Sequence, residues 1–394
     1  MRKLAAEQSL KTALPKLETP FYYYDLSLLQ DTLSAARGAA GKYGFHLHYA
    51  FKANFNDRVL DLIRQAGFGA DCVAGNEVRK AVEMGFSPDQ IVFAGVGKSD
   101  KEIRYALSQD IFAFNVESMQ ELEVINQLAG EVGKMASVAL RVNPNVDAQT
   151  HHYITTGLDE NKFGIMQDDL PACISLLDQC KNLHLVGVHF HVGSQITDLD
   201  VFKSLCVKAN EINHWFDERG HRLQVINVGG GLGIDYQDPD KNSIPDFEAY
   251  FSIFHRFLDL KDGQEVHFEL GRSLVGQCGS LFSRVLYVKN GIKKNFLVLD
   301  AGMTELMRPA LYQAYHKIEV FGKSLNADGS DGVRYDVVGP ICESSDCFGK
   351  EVLLPESFRG DVIVIRSAGA YGEVMSSRYN LREEIRYVYS DSLN

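Results

Sequence analysis

From about residue 46 to residue 270, short runs rich in β-branched and aromatic residues alternate with longer stretches whose apolar positions recur every three or four residues. The short runs are HLHYAFKA, GADCVA, QIVFAG, IFAFNV, MASVALRVN, LHLVGVHFHVG, LQVINVGGG and EVHFEL. Among the amphipathic stretches are DRVLDLIRQAG, NEVRKAVEMG, DKEIRYALSQD and SMQELEVINQLAG, several ending on glycine, a common helix stop. Eight strands alternating with helices over roughly 225 residues match the size of a (β/α)8 barrel. An open doubly wound sheet shows the same alternation. The barrel is preferred because the unusual polar residues recur at strand C-terminal ends: Lys52, Asp71, Arg141, His191, Gly229 to Gly231 and Glu269. That is where a barrel places its chemistry.

After about residue 278 the helical spacing stops. SLFSRVLYV, NFLVLDAG, YHKIEVF, VRYDVVGPI, KEVLLP, DVIVIRSAG and EEIRYVYS read as seven strands separated by turn residues, predicting a β-sandwich or small barrel. The expected division is a (β/α)8 barrel over residues 21–275 and a C-terminal β domain over 276–394, with segment 1–20 a candidate addition to the latter. The run FYYYD either joins the β domain or precedes the first barrel helix. NADGSDG, residues 326–332, reads as an exposed hairpin loop.

A chain of 394 residues exceeds what one core usually serves, in keeping with two domains. A hydrophobic content of 45% and a charged content of 23% are ordinary for a globular protein. The net charge of −12 argues against nucleic acid or an anionic membrane as the main partner. The N-terminal residues lack the apolar core of a signal peptide, and no run approaches bilayer-spanning length. Seven cysteines without CxxC spacing fit reduced thiols, so the expected location is the cytoplasm.

Several short stretches carry candidate chemistry. In HYAFKAN, residues 48–54, Lys52 sits in an apolar, strand-like run, where an ammonium is costly unless it is paired, neutralised or chemically used. VGGGLG, residues 228–233, offers three unobstructed backbone N–H groups for a phosphate, or simply a tight strand-to-helix turn. It is neither a Walker loop nor a dinucleotide fingerprint. In HFHVGSQ, His189 and His191 share a strand face, but no third ligand motif accompanies them, so no metal is expected. The alternative is a histidine stacked on a flat cofactor, with Ser194 donating to a phosphate.

In FELGRS, Glu269 is either a structural ion-pair member or the carboxylate that keeps a ring nitrogen protonated. GPICESSDCFG gathers Cys342, Glu343 and Asp346, with Cys342 either a proton donor or an inert buried thiol. Arg308 and Tyr312 lie four apart, on one face of a helix, and can grip a carboxylate. Tyr371 sits in a Gly- and Ser-rich loop, as a binding tyrosine or a packed one.

In this order, YAFKAN, HFHVGSQ, NVGGGLG, ELGRS, DAGMTELMRPALYQAYH, GPICESSDCFG and AGAYGEVMSSRYN resemble the fold-type III pyridoxal-phosphate-dependent amino-acid decarboxylases. The resemblance runs from TPFYYYD near residue 19 to YNLR near residue 382. It implies that Lys52 holds pyridoxal 5'-phosphate covalently and that His191 stacks on its ring. Ser194, Gly229, Gly230, Gly231, Gly271 and Arg272 would surround the phosphate, with Tyr371 nearby. Glu269 would pair with the ring nitrogen, while Asp71 and Arg141 would flank the lysine and ring.

By the same resemblance, Arg272, Arg308, Tyr312, Glu343 and Tyr371 contact substrate, and Cys342 reprotonates Cα. The family implies a homodimer with active sites at the subunit interface, Cys342 and Glu343 reaching the neighbour's site. The implied reaction is decarboxylation of meso-2,6-diaminopimelate to L-lysine and CO2, the last step of lysine biosynthesis. Arg308 with Tyr312 suits the distal carboxylate, and Glu343 the distal ammonium. Two positions depart from the family pattern: Leu270 stands where proline is usual, and Ser345 where glycine is frequent. Decarboxylases of ornithine, arginine, lysine or carboxynorspermidine remain alternatives. So does a non-catalytic pyridoxal-phosphate carrier, although such carriers lack a second β-rich domain. Alanine racemases share the barrel but place arginine where this chain has Glu269.

Overall fold

The computed structural model describes residues 2–146, 162–326 and 329–393. The chain folds as two compact units, each assembled from separated segments. One contains Thr32–Gly233 and Asp246–Ser273; the other contains Met1–Asp31, Ile234–Pro245 and Leu274–Asn394. These compare with the continuous spans 21–275 and 276–394 expected from sequence.

The first strand is β1 (Phe21–Tyr24). Eight parallel strands then close into a barrel in sequence order: β2 (His46–Ala50), β3 (Gly69–Cys72), β4 (Ile91–Phe93), β5 (Ala113–Val116), β6 (Ala136–Arg141), β7 (Leu183–His189), β8 (Val225–Asn227) and β9 (Glu265–Leu270). The eight runs expected from sequence supply all eight strands. β2 pairs with both β3 and β9, which closes the ring. β3, β4 and β5 are buried along their whole length, as parallel strands covered on both faces should be.

The helices outside are amphipathic and capped by their own sequence. In Asp57–Gln65, Val59, Leu60 and Ile63 are buried, and the Asn56 side chain accepts from Arg58 N–H. The helix Asp100–Ser108 starts with a capping box, Ser99 with Glu102, and the Glu102 carboxylate also accepts from Gly75 N–H at 2.7 Å. Phe268 on β9 meets Phe251 and Phe254 edge-on, both at 4.9 Å between ring centroids. Such T-shaped pairs add to the area they bury.

Along β2 and β9, alternate residues form a polar file: His46 and His48 on one strand, Glu265, His267 and Glu269 on the other. Burial lowers the pKa of His48, and burial with the neighbouring rings of His48 and His46 lowers His267 to about 2. His48 and His267 are therefore neutral.

The other unit is a mixed sheet in the order β12 (Ile318–Val320), β15 (Val362–Ile365), β10 (Gly279–Asn290), β11 (Asn295–Leu299), β13 (Gly332–Val338) and β14 (Cys347–Pro355). β1 and β16 (Arg386–Tyr389) attach through β10. The seven predicted strands are thus present, and the FYYY run joins them. β10 pairs with β1 and β15 near its start and with β11 from Val285 onward, the latter pairing carrying a bulge between Val285 and Tyr287. Phe21 stacks on Phe282 at 5.1 Å within a core that includes Leu10, Leu14, Tyr23, Val364 and Val388.

The hairpin predicted at 326–332 is not formed by the described residues, and residues 327–328 lie outside them. β12 pairs with β15, whereas β13 pairs with β11 and β14, so the segment connects strands that are not neighbours. No helix among the described residues is long and apolar enough to cross a membrane.

Candidate active site

The C-terminal ends of the barrel strands collect the polar residues singled out above. Lys52 lies in a single 3-10 turn, Phe51–Ala53, directly after β2. Its Nζ is 3.4 Å from Oδ2 of Asp71, a fully buried residue of β3. Burial, and next the charge of Glu269, raise Asp71 to about 6, although Lys52 and His189 pull it down.

Glu269, near the end of β9, is held from three other strands. Asn115 and Asn227 donate to its Oε1 at 2.9 and 2.8 Å, and His189 Nε2 lies 2.9 Å from Oε2. Burial opposes ionisation here, but the charge and hydrogen bond of His189, with Lys52 behind them, outweigh it. The carboxyl is held well below its usual range. Glu269 is thus a fixed anion inside the barrel. Three donors leave room for a fourth on a carboxylate.

Arg141, the last residue of β6, is buried and donates to Glu117 at 2.6 Å. Glu117 also accepts from Gly164 N–H at 2.7 Å, and the Arg141 guanidinium lies 4.7 Å from the Phe163 ring centre. His191 follows β7. Burial, then the cations Lys52 and Arg141, hold it well below the usual histidine range, so its ring is neutral.

After β8 the glycine turn needs its glycines for space and for angle. A Cβ on Gly230 would lie 2.0 Å from the Glu269 carbonyl oxygen, and Gly229 and Gly231 adopt φ of +67° and +110°. Arg272 opens a short helix after Gly271 and donates twice to Ser194 Oγ, at 3.0 and 3.3 Å. Leu270 is a fully buried strand residue whose register partner is Tyr49.

Among the described residues, Asp71 Oδ1, His189 Nδ1 and Ser273 Oγ are buried polar atoms without a hydrogen-bond partner. Such atoms are rare in folded proteins and call for a polar occupant. The donor set fits a flat heterocycle: Lys52 for a carbonyl carbon, Glu269 for a cationic ring nitrogen, and Arg272 with Ser194 for an anionic arm.

The sheet unit holds the remaining candidates. Arg308 and Tyr312 bound one helical turn, Arg308–Tyr312, as their spacing predicts. Arg308 is buried and donates to the Tyr236 hydroxyl at 3.0 Å, with His316 Nε2 at 2.8 Å. Cys342 is exposed, against the inert-buried-thiol alternative. Its backbone N–H donates to Asn380, and Glu343 accepts from the Tyr379 hydroxyl at 2.7 Å. The turn between them is pinned by buried Asp346, which accepts from the N–H groups of Met303 and Ile341. Ser345 is exposed in this turn, with its hydroxyl near Met303 sulfur. Tyr371 has φ of +55°, a conformation bulky side chains rarely adopt.

Asn115, Glu117, His189, Asn227, Tyr236 and His316 were not assigned roles from the sequence. For the first four, the available signal was position: each lies at or next to the C-terminal end of a barrel strand.

Comparison with known proteins places these observations. A family model described as "Pyridoxal-dependent decarboxylase, pyridoxal binding domain" matches residues 29–276. The chain is 55% identical to diaminopimelate decarboxylase of Bacteroides thetaiotaomicron over 379 residues, 96% of this chain and 97% of that protein. It is similar to the crystal structure of diaminopimelate decarboxylase from Helicobacter pylori complexed with L-lysine: TM-score 0.89, 37% identity, 96% of this chain and 93% of that one. The corresponding M. jannaschii protein in co-complex with L-lysine has TM-score 0.87 and 34% identity, covering 97% and 89%.

Proposed function

This chain belongs to the pyridoxal-dependent decarboxylases, and we infer that it converts meso-2,6-diaminopimelate to L-lysine and CO2, the last step of lysine biosynthesis. The observation that carries the substrate is its near-full-length likeness to the Bacteroides thetaiotaomicron enzyme. The barrel-mouth geometry supports the chemistry.

The cofactor we assign is pyridoxal 5'-phosphate, which when bound supplies a sink for the electron pair left as the Cα–carboxylate bond breaks. Lys52 is its covalent anchor. Ser194, Gly229, Gly230, Gly231, Gly271 and Arg272 hold its phosphate, and Tyr371 lies with them in this reading. Its strained backbone is a feature that recurs at binding sites. Glu269 keeps the ring nitrogen protonated, a role its fixed negative charge suits. His191, kept neutral, covers the ring face, while Asp71 and Arg141 flank the lysine and ring.

For the substrate, Arg272 and Tyr371 serve the reacting end. Arg308 with Tyr312 takes the distal carboxylate, and Glu343 the distal ammonium. Tyr236 and His316 keep the Arg308 guanidinium oriented, so the grip is preorganised. Cys342 delivers the proton that Cα regains. Its exposure supports a place at a homodimer interface, where Cys342 and Glu343 serve the neighbouring subunit's site. Seven free cysteines support a reducing, cytoplasmic location.

The test is a substrate screen on the purified protein with pyridoxal phosphate, measuring CO2 and the amine product. Only meso-diaminopimelate should give CO2 and lysine in equal amounts, and Lys52→Ala should abolish both. Faster turnover of ornithine, arginine or lysine would overturn the assignment. Arg308→Ala should raise KM for diaminopimelate about 10- to 100-fold, the worth of a charge-assisted hydrogen bond.

A further inference from the structure

We propose that the N-terminal end of the barrel carries a divalent transition-metal site formed by His46, Glu265 and His267. It lies at the opposite end of the strands from Lys52 and Glu269. His46 and His267 are register partners on β2 and β9, the first and last barrel strands. Glu265 is two residues before His267, on the same strand face. Glu265 Oε2 lies 3.2 Å from His267 Nε2 and 3.7 Å from His46 Nε2, and the three ligand atoms all fall within 4.8 Å of one another.

Hydrogen bonding fixes which nitrogen of His267 faces this cluster as an acceptor. His48 Nδ1 is 3.1 Å from the Gln90 carbonyl oxygen, which can only accept, so that nitrogen carries the proton. A neutral ring then accepts at its other nitrogen. His48 Nε2 is 2.9 Å from His267 Nδ1, so His267 donates there. His267 Nε2 is left as a lone pair facing a carboxylate oxygen. Two acceptors 3.2 Å apart repel unless a shared proton or a metal ion lies between them. A carbonyl and an imidazole behind a ligating histidine are the kind of support that orients metal ligands.

The dimensions suit a small ion. Tetrahedral ligands about 2.0–2.1 Å from zinc stand about 3.3 Å apart. The His267–Glu265 separation already meets this. His46 has to close by about 0.4 Å on Glu265 and by up to about 1.5 Å on His267, and its ring is half-exposed. The cluster borders a cavity of about 400 Å³ that is also lined by Arg37, Asp89 and Phe112, leaving room for water or a small anion as fourth ligand. Two imidazoles with one carboxylate select zinc, cobalt or nickel over calcium and magnesium, which prefer all-oxygen sites. Bound there, the ion ties β2 to β9 and clasps the barrel at its closing seam.

The experiment uses the cofactor-loaded enzyme, stripped with chelator and titrated with Zn²⁺ or Co²⁺ in a non-thiol reductant. One ion per chain should bind, the melting temperature should rise by several degrees, and turnover should stay unchanged. Co²⁺ should give visible ligand-field bands without a thiolate charge-transfer band. His46→Gln and Glu265→Gln, both half-exposed positions, should each weaken binding at least tenfold while leaving turnover and far-ultraviolet circular dichroism unaltered. Absence of saturable binding overturns the proposal. So does full affinity in either variant, or a thiolate band, which would put the metal on cysteine.

Discussion

Asp71 is costly in the fold, a buried carboxyl set beside Lys52. It is fully buried, only one of its oxygens is partnered, and its pKa is raised to about 6. A carboxyl whose folded pKa lies above its unfolded value gives its stability at low pH and loses it as pH rises through the folded value. Relative to Asp71→Asn, the cofactor-free wild type should therefore lose stability between about pH 4 and pH 6 and stay level above. The full change is at most about 3 kcal/mol, the worth of a two-unit shift. Thermal melts of both proteins across this range check the sign; the reverse trend would show Lys52 dominating over burial. Lys52 was legible in the sequence because an ammonium in an apolar run is anomalous by itself. Asn115, Asn227 and His189 are ordinary in their local context, and only closure of the barrel brings them onto Glu269.

The glycine turn after β8 bears directly on the barrel mouth. Gly230→Ala would set a methyl group 2.0 Å from the Glu269 carbonyl oxygen and push the ends of β8 and β9 apart. Displacement of Glu269 by even about 1 Å should cost on the order of 100-fold in turnover, with weaker cofactor retention. Steady-state kinetics and cofactor titration read both, and near-normal turnover would show that the turn is slack. The glycine run, the alternation of strand and helix, and the β-rich second half were all legible, because each rests on local spacing. Pairings in the sheet unit were not. β1 joins β10 and β16 through contacts far along the chain, and β12 and β13 look like a hairpin locally while pairing elsewhere.

At the scale of the whole molecule, the homodimer with shared sites that we propose makes a quantitative prediction. Lys52→Ala and Cys342→Ala are each deficient, but mixing them after reversible dissociation should restore activity. With random exchange, half the dimers are mixed and each has one intact site, so recovery approaches about a quarter of wild type for a two-fold dimer. Activity that stays at the level of the parents would place Lys52 and Cys342 of one site in the same subunit. The proposed sharing is not legible in the sequence of one chain, since nothing in the spacing of GPICESSD says which copy it serves.

Strand order also sets a schedule. β1 is made early, yet its antiparallel partner spans residues 279–290 and its parallel partner residues 386–389. At a synthesis rate of roughly 5–20 residues per second, its aromatic face waits on the order of tens of seconds for a neighbour. The barrel likewise cannot close on β2 until β9 has emerged. A nascent chain stalled before residue 386 therefore carries Phe21 to Tyr24 with one edge unfilled. Interrupted translation thus exposes an aromatic strand edge that another chain can pair with.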